Sequence, residues 1–273
     1  MSVLMHLSDL HFGAHEPVVC RAVQALARQL GVSVVVVSGD VTQRATAPQF
    51  AQAASFIRGL DAGASVVLPG NHDLPLFAWW LRWGRAYQRF QHEFGNDLEP
   101  VRQLGRFFVV GVNTTRPWRH ERGSLSSAQI ARVENELAQA YEDSWRIVVA
   151  HHPLVARNGA DQEHRPARAD EALLRWRDAG AQMLLSGHAH AAGLLQPLPG
   201  LWVSQAGTAV SHRLRHGYPN SLVVLSHEAD PVQPGKVLRW AARWDYDPER
   251  TAFHCVQRQW VDGPQAPQGP LAT

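Results

Sequence analysis

Five short polar clusters in this sequence combine side chains that bind metal ions, and each follows a run of apolar residues. They are Asp9-Leu10-His11, Gly39-Asp40, Gly70-Asn71-His72-Asp73, His151-His152-Pro153 and Gly187-His188-Ala189-His190. Together they offer carboxylate, amide and imidazole groups, and none offers a thiolate. Such a set suits Mn, Fe or Zn and argues against Ca. If the clusters converge, they would hold two metal ions sharing a carboxylate, a centre suited to the hydrolysis of phosphate esters.

Two of the clusters place carboxylates at the ends of predicted strands. Asp9 and His11 lie two residues apart, so they face the same side if the strand continues to them. Asp40 follows the valine run Val34–Val37 and a Ser-Gly pair, where the chain turns. Beside the other clusters, Asp40 is our candidate for a carboxylate that bridges two metal ions about 3.5–4 Å apart. In isolation, a turn or helix-capping aspartate would be an equal interpretation.

The third cluster combines a neutral amide with a histidine and an acid. Asn71 is an uncommon metal ligand, but it adds no negative charge to a site that must accept an anionic substrate. Asp73 directly follows His72, which suggests an imidazole that is oriented by a carboxylate. The alternative is a simple Asn/Asp turn after the strand Val66–Leu68.

Further side chains are candidates for contact with a metal ion or a substrate. Arg44 lies four residues after Asp40 and would reach a substrate phosphate, although a surface arginine is an equal interpretation. One of His151 and His152 is expected to bind metal, while the other stacks, forms a hydrogen bond or fills space. His188 and His190 offer two imidazoles, and spacing alone does not separate their roles.

The clusters end apolar runs that alternate with helical patterns. Predicted strands are Val3–Leu7, Val34–Val37, Val66–Leu68, Phe107–Val112, Ile147–Ala150, Met183–Leu185, Leu201–Val203 and Leu222–Leu225. Four helices are predicted: one with an apolar stripe from Val18 to Leu30, one beginning at Thr46 or Ala47, one capped by Ser126 or Ser127 and running through about Tyr141, and one starting at or near Asp170 and running through about Ala179. This alternation indicates an α/β fold. Ligands of such sheets bind beyond the carboxyl ends of the strands, where all five clusters would lie.

The C-terminal part of the sequence has a different pattern. Lys236–Trp244 and Thr251–Trp260 predict strands of a β-rich closing segment, joined by Asp245–Pro248. Residues 263–273 are rich in Pro, Gly, Gln and Ala, which predicts a disordered tail. Because no linker composition interrupts the preceding sequence, we expect a single domain over residues 1–262.

The ordered set of clusters resembles the calcineurin-like metallophosphoesterase superfamily. The resemblance spans roughly residues 1–190, and no motif of the family is missing. It implies a four-layer α/β/β/α sandwich with a binuclear metal centre at one edge. Motif order, the His-His-Pro form of the fourth motif and the chain length look closest to the bacterial class III cyclic-nucleotide-phosphodiesterase-like branch.

The resemblance also implies a role for each residue. One metal ion would be held by Asp9, His11, Asp40 and His190. The other would be held by Asp40, Asn71, His151 and His188. His72 would contact the substrate phosphate or protonate the leaving oxygen, and Asp73 would orient it.

The expected activity is hydrolysis of a small nucleotide-type phosphodiester, such as a cyclic nucleotide. A phosphomonoesterase or a DNA/RNA nuclease of the same fold is the alternative, and a non-catalytic binding scaffold is a third. The 26 Lys and Arg residues balance 24 Asp and Glu residues, so no strongly basic surface favours nucleic acid, which stays among the candidate partners.

Composition and patterning also bear on location and partners. We find no signal peptide and no run near the about 18 apolar residues of a membrane span, so we expect a cytoplasmic protein without a membrane partner. An aromatic stripe follows the third cluster and comprises Leu76, Trp79, Trp80, Trp83, Tyr87, Phe90 and Phe94. It predicts packing against the body of the protein; a wall of the metal site or a homo-oligomer surface is the sharper hypothesis.

Overall fold

The residues that the structure describes form twelve strands and five α-helices. The computed structural model describes residues 2–75, 84–119, 121–157, 159–229, 233 and 236–262. The strands are β1 Val3–Leu7, β2 Val34–Val37, β3 Ala64–Val67, β4 Val101–Leu104, β5 Phe107–Val112, β6 Trp145–Ala150, β7 Met183–Ser186, β8 Gly193–Leu198, β9 Leu201–Gln205, β10 Ser221–Ala229, β11 Val237–Asp247 and β12 Ala252–Trp260. The helices are α1 Pro17–Leu30, α2 Ala47–Arg58, α3 Gln88–Phe94, α4 Ser127–Leu137 and α5 Ala169–Asp178.

The strands form two six-stranded mixed sheets. The first sheet has the order β12-β11-β10-β1-β2-β3, and the second has the order β4-β5-β6-β7-β9-β8. Strands β1, β2 and β3 are parallel to one another, as are β5, β6, β7 and β9. Parallel neighbours end at the same edge of a sheet. The segments that follow β1, β2 and β3 therefore begin at one edge of the first sheet, and the segments that follow β6 and β7 begin at one edge of the second sheet.

Three separate apolar clusters divide the protein into four layers. Between the two sheets lie side chains such as Val36, Ile147 and Val223. Helices α1 and α2 cover the outer face of the first sheet, where Phe50 is fully buried. Helices α4 and α5 cover the outer face of the second sheet, where Trp176 is fully buried and donates a hydrogen bond to a carbonyl of α4. The predicted α/β/β/α sandwich with a β-rich C-terminal segment is confirmed.

Several element boundaries differ from the sequence prediction by one to four residues, and two strands were not predicted. Helix α4 ends at Leu137, with Ala138 as its C-cap. Strand β11 continues through Asp247, since Tyr246 pairs with Phe253 across the hairpin. Strand β4 is an edge strand with largely half-exposed side chains, and β8 contains Pro197. Neither offers the continuous apolar run on which the prediction relied.

Some sequence predictions fall on residues that the structure does not describe. These are the tail 263–273 and the stripe members Leu76, Trp79, Trp80 and Trp83. Of the remaining stripe, Phe90 is fully buried against Phe50 and Phe94, which agrees with packing on the body. Among the described residues, no helix has both the length and the apolar character that a bilayer crossing requires.

His6 joins the two sheets through a buried polar contact. It lies in β1, where its Nε2 is 3.0 Å from Ser38 Oγ and its Nδ1 is 3.4 Å from Ser204 Oγ of β9. Burial lowers the pKa of His6 to about 3, although the charge of Asp9 acts in the opposite direction. The imidazole is therefore neutral in the folded protein at ordinary pH.

The substitution His6→Gln is expected to flatten the pH dependence of stability. An unfolded His6 takes up a proton below its ordinary pKa of 6.5, whereas the folded residue stays neutral down to about 3. In this window the unfolded state binds more protons, so acid lowers the free energy of unfolding by up to about 1.4 kcal/mol per pH unit through this residue. Urea unfolding at several pH values with EDTA measures both slopes. Parallel curves for the two proteins would contradict this role of His6.

Candidate metal centre

The five polar clusters meet at one edge of the sandwich. Each begins within a few residues of the end of a parallel strand, namely β1, β2, β3, β6 and β7. Five of the predicted ligands are buried, namely Asp9, His11, Asp40, Asn71 and His151, and His188 and His190 are partly buried. The structure therefore brings these side chains together, although they are up to 181 positions apart in the chain.

One group of possible metal ligands consists of Asp9, His11 and His190. The Nε2 atoms of His11 and His190 are 3.1 Å apart, and His190 Nε2 is 3.2 Å from Asp9 Oδ1. The ligand atoms of all three residues lie within 4.8 Å of one another. His190 Nδ1 is 2.7 Å from the carbonyl oxygen of Arg213. Because a carbonyl only accepts, Nδ1 carries a proton there, and Nε2 is directed toward the other ligands.

A second group consists of Asp40, His151 and His188, with Asn71 beside it. Asn71 Oδ1 is 3.1 Å from His151 Nε2 and 3.0 Å from His188 Nδ1. The Nδ1 atom of His151 donates to the carbonyl oxygen of Ser38 at 3.0 Å, which directs Nε2 into the group. The chain thus presents two imidazoles, a carboxylate and an amide oxygen at one place.

Asp40 faces both groups. Its Oδ1 is 3.4 Å from His151 Nε2, and its Oδ2 is 3.7 Å from His11 Nε2. The backbone N–H of His72 donates to Oδ1 at 2.8 Å and fixes the carboxylate in this orientation. This is the arrangement expected of a bridging ligand, and oxygen and imidazole donors without thiolate fit Mn, Fe or Zn.

The charges of the site balance one another. Burial disfavours ionised carboxylates, but the neighbouring His151 holds the pKa of Asp40 well below its usual range. Against its own burial, His151 has its pKa raised to about 9 by Asp40. By contrast, burial lowers the pKa of His11 and of His188 to about 3, which leaves lone pairs on these two rings for binding a cation.

Most predicted ligands have a strained backbone. Five of them have positive φ angles, namely Asp9 at 52°, His11 at 44°, Asp40 at 49°, His188 at 66° and His190 at 50°. Only nine non-glycine residues in the described ranges adopt this conformation, so more than half of them are at this site. Such a backbone conformation costs an L-residue on the order of 1–3 kcal/mol. The tight turns are what aim side chains from several strand ends at a common point.

Glycines before two ligands allow the strand ends to approach one another. A Cβ atom on Gly187 would lie 1.9 Å from Ser8 Oγ and 2.3 Å from Asp9 Oδ2. A Cβ atom on Gly70 would lie 2.2 Å from Asp40 Oδ1. Both glycines therefore leave the space that the two carboxylates occupy.

The predicted pairing of Asp73 with the ring of His72 is wrong. The Asp73 carboxylate accepts hydrogen bonds from the backbone N–H groups of Gly70, Val41 and Thr42 and from the Thr42 hydroxyl. It ties the segment after β3 to the segment after β2. The Nδ1 atom of His72 instead lies 3.1 Å from the carbonyl oxygen of Gln43. Sequence adjacency suggested the pair, but successive side chains diverge in the 3₁₀ turn Asn71–Asp73.

The structure separates the two histidines of the fourth cluster. His151 lies among the candidate ligands, whereas His152 Nδ1 contacts Thr114 Oγ1 at 2.7 Å and His152 Nε2 contacts the carbonyl oxygen of Glu121 at 2.9 Å. The ring of His152 also packs on His188, with ring centroids 4.5 Å apart. His152 therefore supports the centre from behind and anchors the segment that contains Glu121.

The cavity beside the two groups contains an arginine that sequence reasoning missed. It has a volume of about 560 Å³ and is lined by Asp40, Asn71, His72, Glu121, Glu163, His164, His188, Ala189, His190, Arg213, Leu214 and Arg215. Arg44, the predicted substrate contact, is exposed and is not among these residues. Arg213 lies eight positions after the end of β9. Its only sequence signal was that another strand ends near the same edge.

A family model for calcineurin-like phosphoesterases matches residues 2–192 of this sequence. The chain belongs to the calcineurin-like phosphoesterase family. The match ends just after His190, so it includes every residue of the two ligand groups. Among curated proteins, none shows significant sequence similarity to the chain.

Solved structures of similar fold include two phosphatases. A purple acid phosphatase from yellow lupin has a TM-score of 0.70 at 13% identity, over 100% of this chain and 57% of its own. The chain thus spans little more than half of that phosphatase. A dimetal phosphatase from Danio rerio has a TM-score of 0.62 at 13% identity, over 95% of this chain and 98% of its own. GAP50 from Plasmodium has a TM-score of 0.55 at 12% identity, over 88% and 84%. At such identities the similarity shows a common fold and nothing about function.

The substitution Asp40→Ala is expected to weaken metal binding in both ligand groups at once, because this carboxylate faces both. Metal content per chain after manganese loading and gel filtration measures the effect, and Asp178→Ala on the surface of α5 is the matched control. Loss of a single metal ion, or retention of both, would contradict a bridging role.

The substitution Gly187→Ala is expected to lower metal affinity without removing any ligand. The added methyl group would displace the Asp9 carboxylate, and overpacking of this kind costs about 1–3 kcal/mol. Gly63→Ala is the control, since its Cβ atom would meet only an ordinary contact at 3.5 Å. Titration of both variants with Mn²⁺ by calorimetry compares them. Equal affinities would show that the close packing at Gly187 does not position Asp9.

Proposed function

We propose that this protein is a metal-dependent phosphodiesterase that hydrolyses a small nucleotide-type ester. The observation that carries the proposal is that Asp40 faces two groups of candidate metal ligands beside one cavity. Membership of the calcineurin-like phosphoesterase family supports the reaction class. The cavity supports the choice of substrate.

The size of the cavity favours a small substrate. Its volume of about 560 Å³ falls in the range of about 300–1,000 Å³ that is usual for small-molecule sites. Its rim carries Glu121 and Glu163 as well as Arg213 and Arg215. Such mixed charge is unfavourable for a long polyanion, which binds best along a continuous basic groove.

The same acidic residues favour a diester over a monoester. A phosphodiester carries one negative charge, whereas a phosphomonoester carries nearly two at neutral pH. Glu121 and Glu163 border the cavity, so each additional negative charge on a substrate meets additional repulsion there. Cyclic nucleotides combine a single charge with a size that the cavity accommodates.

The side chains at this site fit a pair of metal ions, and each side chain has its own role in holding them. Bound there, two ions would lower the pKa of a water molecule and neutralise phosphoryl oxygens. Asp40 holds its two oxygens toward the two ligand groups. Asn71 provides an oxygen without adding charge, and the Nδ1 contacts of His151 and His190 keep their Nε2 atoms directed inward. The protein thereby supplies a centre whose ligands need little rearrangement.

Two other functions would use the same fold. A phosphomonoesterase or a nuclease would retain the metal site and differ only in what the cavity rim accepts. A binding scaffold would need the fold but not the chemistry, and GAP50 of Plasmodium is described as an anchor in the inner membrane complex. The full set of candidate ligands in this chain favours an enzyme over a scaffold. Holding these residues in strained backbone conformations costs stability, and a binding surface does not require it.

The manganese-loaded protein is expected to hydrolyse bis(p-nitrophenyl) phosphate and cyclic nucleotides faster than p-nitrophenyl phosphate or single-stranded DNA. All four are assayed in parallel, with metal content measured on the same samples and Asp40→Ala as the inactive control. Preference for p-nitrophenyl phosphate would overturn the choice of a diester. Two bound metal ions without hydrolysis of any ester would favour the scaffold.

A further inference from the structure

We infer that Arg213 binds a phosphoryl oxygen of the substrate, and that His72 and Gln43 hold its guanidinium group in position. This inference rests on the proposed function, because it assigns the substrate contact within the same cavity. It gives His72 a positioning role in place of the acid role that the family resemblance implied. It also replaces Arg44 as the arginine that contacts phosphate.

The guanidinium of Arg213 lies beside the candidate metal centre, and Arg213 is one of the residues that line the cavity. Its Nη1 atom is 3.1 Å from His72 Nε2, 3.1 Å from Gln43 Oε1 and 3.4 Å from His11 Nδ1. Arg213 also lines the cavity together with Asp40, which faces both ligand groups. A phosphate group that approaches the two ligand groups through this cavity therefore meets the guanidinium.

The guanidinium is held by two acceptors on one nitrogen atom. Nη1 carries two hydrogens and can satisfy two acceptors, and the two shorter contacts are those to His72 and Gln43. His72 Nε2 then accepts a hydrogen bond, while His72 Nδ1 donates to the carbonyl oxygen of Gln43 at 3.1 Å. In this tautomer the cavity-facing nitrogen of His72 has no proton to give. Its lone pair instead fixes Arg213.

The charges around the cavity also point to Arg213. The other cavity arginine, Arg215, forms an ion pair with the buried Asp161 at 2.8 Å and donates to the carbonyl oxygen of Ala189. The contacts of Arg213, within the part of the chain that is described, are to imidazole and amide groups rather than to carboxylates. Its positive charge therefore stays available for an anion, and a guanidinium matches the geometry of phosphate oxygens.

The backbone of Arg213 forms hydrogen bonds that do not involve its side chain. Its carbonyl oxygen accepts the hydrogen bond from His190 Nδ1 at 2.7 Å, and its N–H donates to Ser211 Oγ at 2.9 Å. Replacing the side chain leaves both backbone groups in place. A variant can therefore lose the phosphate contact while keeping its metal ligands oriented.

Calorimetric binding of inorganic phosphate to the manganese-loaded protein tests the contact directly. Arg213→Ala is expected to weaken phosphate binding about 10- to 100-fold, the usual effect of losing a hydrogen bond to a charged group. Arg213→Lys is expected to be intermediate, since lysine keeps the charge but not the planar fork. Manganese content should be unchanged in both. Arg102→Ala removes an exposed arginine of β4 and controls for net charge.

Phosphate affinity in Arg213→Ala equal to that in Arg102→Ala would overturn the inference, as would a wild-type protein that binds no phosphate. A loss of affinity in Arg44→Ala instead would return the role to the residue that the sequence suggested. Loss of manganese from Arg213→Ala would show that the residue maintains the metal centre and does not act on the anion.

Leaving groups of different basicity test the role of His72. If His72 positions Arg213, His72→Gln should slow hydrolysis of bis(p-nitrophenyl) phosphate and of a dialkyl phosphate by the same factor. A loss confined to the dialkyl ester, whose leaving group needs a proton, would show that His72 is an acid and would overturn this part of the inference.

Different results would refute the proposed hydrolysis and the proposed contact between Arg213 and phosphate. A wild-type protein that binds phosphate through Arg213 but hydrolyses none of the esters would refute the proposed function and support the contact. Hydrolysis together with phosphate binding that does not depend on Arg213 would refute the contact and support the proposed function.

Discussion

The structure depends on keeping two carboxylates ionised in a place that water hardly reaches. Asp9 and Asp40 are buried, and burial by itself would favour their neutral forms. Within the protein, the compensating charge comes from His190 and His151, whose pKa values are raised by these carboxylates against the effect of burial. Backbone N–H groups of His188 and His72 add hydrogen bonds to the same two carboxylates. A site balanced in this way is prepared for cations, because each cation takes over a charge that the imidazoles now supply.

Holding these groups together costs free energy, and packing in the rest of the fold offsets this cost. Several ligands adopt left-handed backbone conformations, and glycines such as Gly70 and Gly187 replace side chains that would collide with the carboxylates. Three apolar layers and the parallel strands fix the chain on both sides of each turn, so that the strain persists. Buried polar contacts reinforce this frame: His6 links the two sheets, and Asp73 ties the turns after β2 and β3 together. The site is therefore a property of the whole sandwich and not of any single motif.

Around this centre, several residues make contacts that their positions in the sequence did not predict. His152 follows a candidate ligand but serves as its support, through contacts with Thr114 and the carbonyl of Glu121. Arg213 contributes its backbone to the orientation of His190 and its side chain to the cavity. One short segment after β9 thus connects the metal ligands with the place where an anion would bind, which couples the geometry of the centre to the specificity of the cavity.

The sequence by itself determined the α/β fold class and the clusters of residues that could bind metal, while the four-layer architecture followed from the family resemblance. Apolar runs alternating with helical patterns indicate parallel strands, and parallel strands bring their carboxyl ends to one edge whatever the intervening loops do. The convergence of Asp9, Asp40, Asn71 and the two histidine clusters was predictable for this reason, whereas the choice of His151 over His152 followed from the family resemblance. The tertiary structure alone decided that Asp73 bonds to backbone N–H groups and not to His72, and that Arg213 rather than Arg44 borders the cavity. Those outcomes depend on side-chain direction within tight turns and on contacts between residues as far apart as 72 and 213. Local sequence carries no signal for either, because both are set by how separate segments pack.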